Sequence, residues 1–214
     1  MFVLSDTPSI ANRFLREMRD IRIQGDRMRF RRNLERMGEI MAYEISKSFD
    51  YVSEEIETPL TSTSTLTLNE QPIIISVMRA SLPFYNGFLN YFDQAGSGFI
   101  GAFRDESQPG EITVQLGYHA SPTVEERIII LADPMLATGK SLVESIQTIL
   151  SHGTPKHIHI AAVIAAPEGI KYLKENVTCP YSLWLGAIDE KLNHQSYIVP
   201  GLGDAGDLAF GPKL

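Results

Sequence analysis

Residues 127–141 read Arg127-Ile-Ile-Ile-Leu-Ala-Asp-Pro-Met-Leu-Ala-Thr-Gly-Lys-Ser141. The apolar run Ile128 to Ala132 has the character of a strand buried on both faces, as parallel sheets require. It ends in an acid, Asp133, crosses a short turn through Pro134, Met135, Leu136 and Ala137, and enters a helix predicted over 138–150. Unpaired N–H groups at a helix start point outward and, with the helix dipole, form an anion site. Gly139 lets the backbone approach a phosphate closely, and the hydroxyls of Thr138 and Ser141 add donors. Asp133 stands at the carboxyl end of its strand, where open α/β sheets bind ligands. A carboxylate there accepts hydrogen bonds from a pair of sugar hydroxyls. Gly139-Lys-Ser141 invites a P-loop reading, but that motif needs a glycine at position 134, which is proline. Taken without its surroundings, the segment is only moderately specific, and the plain alternative is a helix start that holds a glycine by chance.

The flanks repeat the α/β alternation. Upstream, 72–77 reads as a buried strand and 82–92 as a helix, then 98–103 and 112–118 as two strands. The polar, turn-rich link 104–110 between these strands reads as a flexible hairpin tip. Downstream, His157 to Ile164 is a strand, Pro167 opens a helix in its first turn, and Tyr181 to Ile188 is a further strand. Strands alternating with helices imply a parallel sheet with right-handed crossovers. Before this unit, 9–20 and 27–48 read as helices. In the second, Met28, Leu34, Met37, Ile40, Met41 and Ile45 recur at helical spacing. Residues 58–68 read as a hairpin or a loop. The end, Tyr197 to Pro212, holds six Gly or Pro, which excludes a long helix or a central strand and suggests a shaped loop over a site.

The 214 residues suffice for one α/β domain, and a 43% hydrophobic, 21% charged composition excludes a wholly disordered chain. The lone cysteine, Cys179, excludes an intramolecular disulfide and a cysteine-based zinc site. No stretch is apolar for long enough to span a membrane, and a reducing, cytoplasmic setting is expected. Charge is uneven. Residues 1–36 carry nine Arg and five Asp or Glu, a net of +4, and the remainder carries −11. The basic end is read either as a solvated helical arm lying on the acidic body or on a second subunit, or as a nucleic-acid or nucleotide-effector surface. The acidic body weighs against general nucleic-acid binding.

The strand, Asp133, turn, Thr138-Gly-Lys-Ser141, helix order resembles the phosphoribosyl pyrophosphate loop of type I phosphoribosyltransferases. Asp133-Pro-Met-Leu-Ala-Thr-Gly139 is more narrowly similar to uracil phosphoribosyltransferases. Met78-Arg79-Ala80, Phe103-Arg104, Ala165-Ala-Pro-Glu-Gly169 and Tyr197-Ile-Val-Pro-Gly-Leu-Gly-Asp-Ala-Gly-Asp207 also match, and the last is the most specific. The resemblance implies an open parallel sheet flanked by helices in a single domain over 1–214, with an N-terminal helical arm (1–50) and a C-terminal base-binding hood (189–214). It implies transfer of a phosphoribosyl group from 5-phosphoribosyl 1-pyrophosphate to uracil, giving UMP and pyrophosphate in pyrimidine salvage. On this resemblance Asp133 takes the ribose hydroxyls, and Pro134 to Ser141, Lys140 included, form the loop around the 5′-phosphate. Arg79 binds pyrophosphate, and Arg104 closes over it as a lid and acts in catalysis. The residues alone favour a surface ion pair for either arginine. Ile198, Gly203, Asp204 and Ala205 take uracil, and Asp204 also touches the phosphoribosyl group or its metal and serves catalysis. Mg²⁺ is expected to ride on the substrate's pyrophosphate rather than in a protein cage. A homo-oligomer and GTP as an effector are further implications, as are the absence of nucleic-acid and membrane partners.

Three departures from the family pattern stand out. Lys140 replaces a usual glycine, so position 140 must accept the loop's backbone angles. Ser81 replaces a glycine beside the expected pyrophosphate path. Asp133 is followed by Pro134 rather than by a second acid. Other residues attract simpler readings. His157 and His159 alternate on a strand and suggest an exposed face rather than a metal pair. His119 and His194 show no partner, Cys179 reads as inert, Trp184 as packing, and Glu168 as a helix-start acid. The alternative to the enzyme is a regulatory protein on the same fold that senses nucleotides and contacts RNA through Arg27, Arg29, Arg31 and Arg32.

Overall fold

The computed structural model describes residues 1–105 and 113–212. The chain opens with a two-residue strand, β1 (Phe2–Val3), and a single 3-10 turn. Helices α1 (Ile10–Arg19) and α2 (Arg27–Ser46) follow. Ser9 and Asn12 form a reciprocal cap at the start of α1, and Asp26 caps α2 by accepting from the Arg29 N–H at 3.0 Å. Strands β2 (Tyr51–Glu57) and β3 (Ser62–Leu68) pair as an antiparallel hairpin whose β2 residues are all exposed. The α/β unit is β4 (Ile73–Met78), α3 (Leu82–Leu89), β5 (Gly96–Asp105), β6 (Thr113–Ala120), β7 (Ile128–Ala132), β8 (Met135–Leu136), α4 (Lys140–Leu150), β9 (His157–Ala165), α5 (Pro167–Asn176) and β10 (Tyr181–Ile188). The chain ends in a small hairpin, β11 (Lys191–Leu192) and β12 (Ile198–Val199), and a short helix, α6 (Ala205–Phe210).

The central sheet runs β1-β10-β9-β7-β4-β5-β6, with β8 added beside β9. Every pairing is parallel except β5 with β6. The runs Ile73–Ile75 and Ile129–Leu131 are buried throughout because both faces of the sheet are covered. Ile74 and Ile130 pack with α1, α2 and α3 on one face, while Ile73, Ile75, Ile129 and Leu131 pack with α4 and α5 on the other. The fold is therefore three layers, and the basic N-terminal helices are one of them. Leu34, Met37, Met41 and Ile45 are fully buried, whereas Met28, read from its spacing as core, is two-thirds exposed in the first turn of α2.

Glycine sets the closest approach within the helical layer of α1, α2 and α3. An added Cβ at Gly38 of α2 would sit 2.2 Å from the Phe84 carbonyl oxygen. One at Gly87 of α3 would sit 2.1 Å from that of Glu35. These two helices therefore cross backbone to backbone.

Of the two histidines read as an exposed face, His159 is inside and His157 is half-buried. His159 is buried, and its Nδ1 accepts from the Trp184 indole N–H at 3.0 Å, with Phe49 against its ring. His157 lies 4.7 Å away, ring to ring, beside Ser182. Burial, with help from His157, pushes His159 down to about 3, so the ring is neutral. The exposed-face reading failed because Phe49 and Trp184 cover the His159 ring, which periodicity alone leaves open. His119 does have a partner, the His152 ring at 4.4 Å.

Candidate active site

The chain order of the sheet reverses at β4. From there it runs outward to β5 and β6, then returns to β7 on the other side of β4. Open α/β sheets bind ligands at such a point, beyond the carboxyl ends of the strands. Arg79 follows β4 and Asp133 follows β7, so two of the sequence-predicted residues flank this crevice. Arg104 lies near the carboxyl end of β5, with Val114 of β6 opposite in register. The placement of its side chain lies outside the described residues, as does most of the 104–110 link.

The loop after β7 is shaped by backbone bonds to β9. Asp133 N–H donates to the Ala161 carbonyl at 3.1 Å, and the Pro134 carbonyl accepts from Val163 and Ile164. The predicted turn contains β8, whose Leu136 carbonyl accepts from Ala166 N–H at 2.9 Å. Asp133 also accepts the Met135 N–H at 3.1 Å through its own carboxylate, which fixes the side chain as the loop departs. Helix α4 starts at Lys140, two residues later than predicted, because Gly139 stands before it in the left-handed region at φ 79°. The special backbone angle therefore belongs to Gly139 rather than to Lys140, which opens the helix and is exposed. The glycine requirement is also steric. A Cβ at 139 would meet the Gly169 carbonyl at 2.8 Å, and one at 169 would meet the Ala137 carbonyl at 2.3 Å. Ala165-Ala-Pro-Glu-Gly169 is thus the surface on which the anion loop rests.

Ser81 turns its hydroxyl inward. It is fully buried, bonded to the Ser76 hydroxyl at 2.6 Å and to the Val77 carbonyl. It closes the turn from β4 into α3 from inside. The Met78–Arg79 peptide bond is cis. The Arg79 guanidinium reaches Asp207 at 3.2 Å and the Gly211 carbonyl at 3.3 Å, both long contacts. Its Nε is buried with no hydrogen-bond partner. An under-satisfied guanidinium at this point is suited to anionic oxygens, whose planar recognition arginine favours.

The C-terminal segment is a shaped loop with one addition, the helix α6. Asp204 is its N-cap and accepts from Asp207 N–H at 2.9 Å. Gly203 and Asp204 are exposed, while Ile198 and Ala205 are buried, so these last two have only their backbone to offer a ligand. Gly206 sits beside Arg79 and Ala80, which brings this segment to the end of β4. Glu168 does more than open α5. It accepts from the Leu192 N–H at 3.0 Å, which ties the hood to the helix that supports the anion loop. That contact holds its carboxyl below the usual range. This tie left no mark in the sequence.

The family model for uracil phosphoribosyltransferase matches residues 4–212. The chain belongs to the uracil phosphoribosyltransferase family. A relative named uracil phosphoribosyltransferase from Porphyromonas gingivalis is 45% identical over 206 residues, covering 96% of this chain and 95% of its own. A family member of the same name from Pyrococcus furiosus is 37% identical, covering 100% and 91%. Among solved structures, the AQ2163 protein from Aquifex aeolicus superposes with a TM-score of 0.86 at 30% identity, covering 96% of each chain. Family membership thus joins the architecture in assigning an enzyme of the type I phosphoribosyltransferase fold.

Proposed function

We propose that the protein transfers the phosphoribosyl group of 5-phosphoribosyl 1-pyrophosphate to uracil, giving UMP and pyrophosphate. The observation that carries this reading is the crevice at the β4–β7 reversal. A glycine-shaped turn after β7, an under-satisfied arginine after β4 and the segment capped by Asp204 lie at the carboxyl ends of these strands. Uracil N1 forms the new bond to C1′ as the bond to pyrophosphate breaks, and the N1 proton is released. The chain's task is positioning and charge stabilisation. The start of α4 and Gly139 hold the 5′-phosphate, and Asp133 holds the ribose hydroxyls. Arg79 takes the departing pyrophosphate, aided by Arg104. Backbone groups at Ile198, Gly203 and Ala205 take the base, with Asp204 at the junction. Cytosine reverses the hydrogen-bond pattern at two positions and would leave buried groups unpaired.

Among the described residues no three of His, Cys, Asp or Glu converge as a metal cage. The donor set suits Mg²⁺ carried by the pyrophosphate oxygens, with Asp204 as a carboxylate within the site. Bound there, Mg²⁺ would neutralise charge on the leaving group. A homo-oligomer belongs to the same proposal. The β2–β3 hairpin exposes Tyr51, Val52, Ile56, Leu60 and Leu66, and a two-stranded hairpin on its own is marginal in water. A second copy of the chain would cover it. GTP as an effector and a cytoplasmic setting complete the proposal. No helix among the described residues is long and apolar enough to cross a membrane.

The RNA-binding alternative gains no support. Arg29 pairs with Glu17 at 2.9 Å, Arg32 with Glu35 at 2.7 Å, and Arg31 donates to the Ala209 carbonyl at 2.7 Å. The deciding experiment supplies uracil, hypoxanthine, orotate or cytosine with phosphoribosyl pyrophosphate and Mg²⁺, each with and without GTP. UMP from uracil alone is the expected outcome. Product only from another base, or from none, would overturn the reading.

A further inference from the structure

The hood is held at its base by a buried ion pair. Arg19, the last residue of α1, and Asp189, the first residue after β10, are 170 positions apart in sequence. Their side chains meet in two parallel hydrogen bonds, one of them 2.8 Å. Asp189 is almost wholly buried, and the Arg19 side chain is 24% exposed. The same two groups also grip one residue of the hood by both its backbone polar groups. Asp189 Oδ2 accepts from the Gly201 N–H at 2.8 Å, and Arg19 donates to the Gly201 carbonyl at 2.9 Å. Gln24, from the turn after α1, donates to the neighbouring Leu202 carbonyl at 3.1 Å. Three backbone polar groups of Gly201 and Leu202 are thus fixed by side chains from other segments of the chain.

The gripped residue has no freedom to absorb a change. Gly201 sits at φ 64°, and an added Cβ would lie 2.0 Å from the Ile198 carbonyl oxygen. Ile198 is on one side of this turn and Gly203 on the other. A surface pair would hold such a turn weakly, because exposed ion pairs contribute little. This pair is desolvated, bidentate and bonded to backbone on both sides, the geometry in which removing one partner is strongly felt.

We propose that Arg19 and Asp189 are positioning residues for the base. They set the spacing between the backbone groups of Ile198 and Gly203, and so govern affinity for the base and the choice of base. The phosphoribosyl pyrophosphate loop keeps its own supports, the β8–β9 pairing and Gly139 against Gly169, so its shape does not depend on the pair. This inference rests on the reading that the hood takes uracil. Neither side chain touches substrate.

The test uses the full-length protein as Arg19→Lys, Arg19→Gln, Asp189→Asn and the double variant Arg19→Gln/Asp189→Asn. Each is measured for KM of uracil, KM of phosphoribosyl pyrophosphate, uracil-over-cytosine preference and Tm. Expected are a tenfold or greater rise in KM for uracil and a loss of base preference in the single Gln and Asn variants. KM for phosphoribosyl pyrophosphate should stay within twofold, and Arg19→Lys, which keeps the charge but loses the fork, should fall between. The double variant buries no unpaired charge, so it should recover most of its Tm without recovering KM for uracil. A uracil KM that returns together with Tm would overturn the proposal in favour of a purely structural pair. So would equal rises in both KM values, or a folded single variant with unchanged uracil KM. The wild-type chain in the same assay tests the reading beneath: if it forms no UMP, the base-directed role falls with that reading. Amide exchange at Gly201, which needs no substrate, reports the grip separately. It should accelerate at least tenfold in Asp189→Asn, and unchanged exchange would overturn the grip itself.

Discussion

Asp204 combines a helix cap with a proposed contact to substrate, so one substitution there disturbs two things. Asn is as good a cap as Asp, whereas Ala loses about 1 kcal/mol of capping. Asp204→Asn is therefore expected to keep its Tm yet lose most turnover, and Asp204→Ala to lose turnover and Tm together. Steady-state kinetics beside thermal unfolding separate the two. At the anion loop, Gly139→Ala forces a side chain into a left-handed backbone and against the Gly169 carbonyl. It should raise KM for phosphoribosyl pyrophosphate at least tenfold. Lys140→Gly should retain uracil activity, because the loop's unusual angle lies one residue earlier. His159 makes stability depend on pH. Its folded form stays neutral down to about 3, against 6.5 for the ordinary side chain. The unfolded chain takes up the proton first, so stability falls as pH drops from about 6.5 towards about 3, by up to about 1.4 kcal/mol per pH unit. Urea unfolding between pH 6.5 and 5 should show this slope, and His159→Gln should reduce it, leaving the part due to His157 and His119, which burial also lowers. That window lies above the 4.5 at which Glu17 ordinarily titrates. Glu17, held down to about 2 first by Arg29 and then by Asn33, adds a second decline only below that value.

The elements follow the same division between local pattern and distant contact. Where α2 crosses α3, Gly87→Ala should destabilise the fold by about 1–3 kcal/mol through forced separation of two backbones, read from denaturant midpoints. The strands β4, β7 and β9 were legible because parallel strands covered on both faces leave continuous apolar runs. The start of α4 was legible because an anion loop demands glycine at one backbone angle. Strand β2 was not, since Tyr51-Val-Ser-Glu-Glu-Ile-Glu57 buries nothing and carries three glutamates. Met28 was misread because helical spacing marks a stripe but not where the layer beneath it ends. Ser81 was misread because family likeness gives a position but not a direction, and its hydroxyl turns inward to Ser76. The ties that assemble the site, Arg79 to Asp207 and Glu168 to Leu192, join residues with no shared pattern. Only the folded chain shows them. Of the candidate residues themselves, Asp133 and Gly139 could be named from the strand–turn–helix pattern, whereas Arg79 and Asp204 entered only through the family likeness.

At the scale of the whole molecule, the hairpin is the feature that the three-layer body does not account for. If a second copy covers it, Tyr51→Ser with Leu66→Ser should shift sedimentation toward the monomer at micromolar protein, leaving the circular dichroism of the body intact. The opposite flank of the molecule ends in β1. Its two residues lie on β10 with Phe2 beside Trp184 and Val3 beside Leu185, and the Phe2 and Trp184 rings are 5.3 Å apart. Two residues are too few to recruit a stranger, yet they occupy the rim that a longer strand would otherwise offer. Trimming the first three residues would bare the amide row of Leu183–Leu185 as a template for other chains. The trimmed protein should turn cloudy on standing at concentrations where the intact chain stays clear.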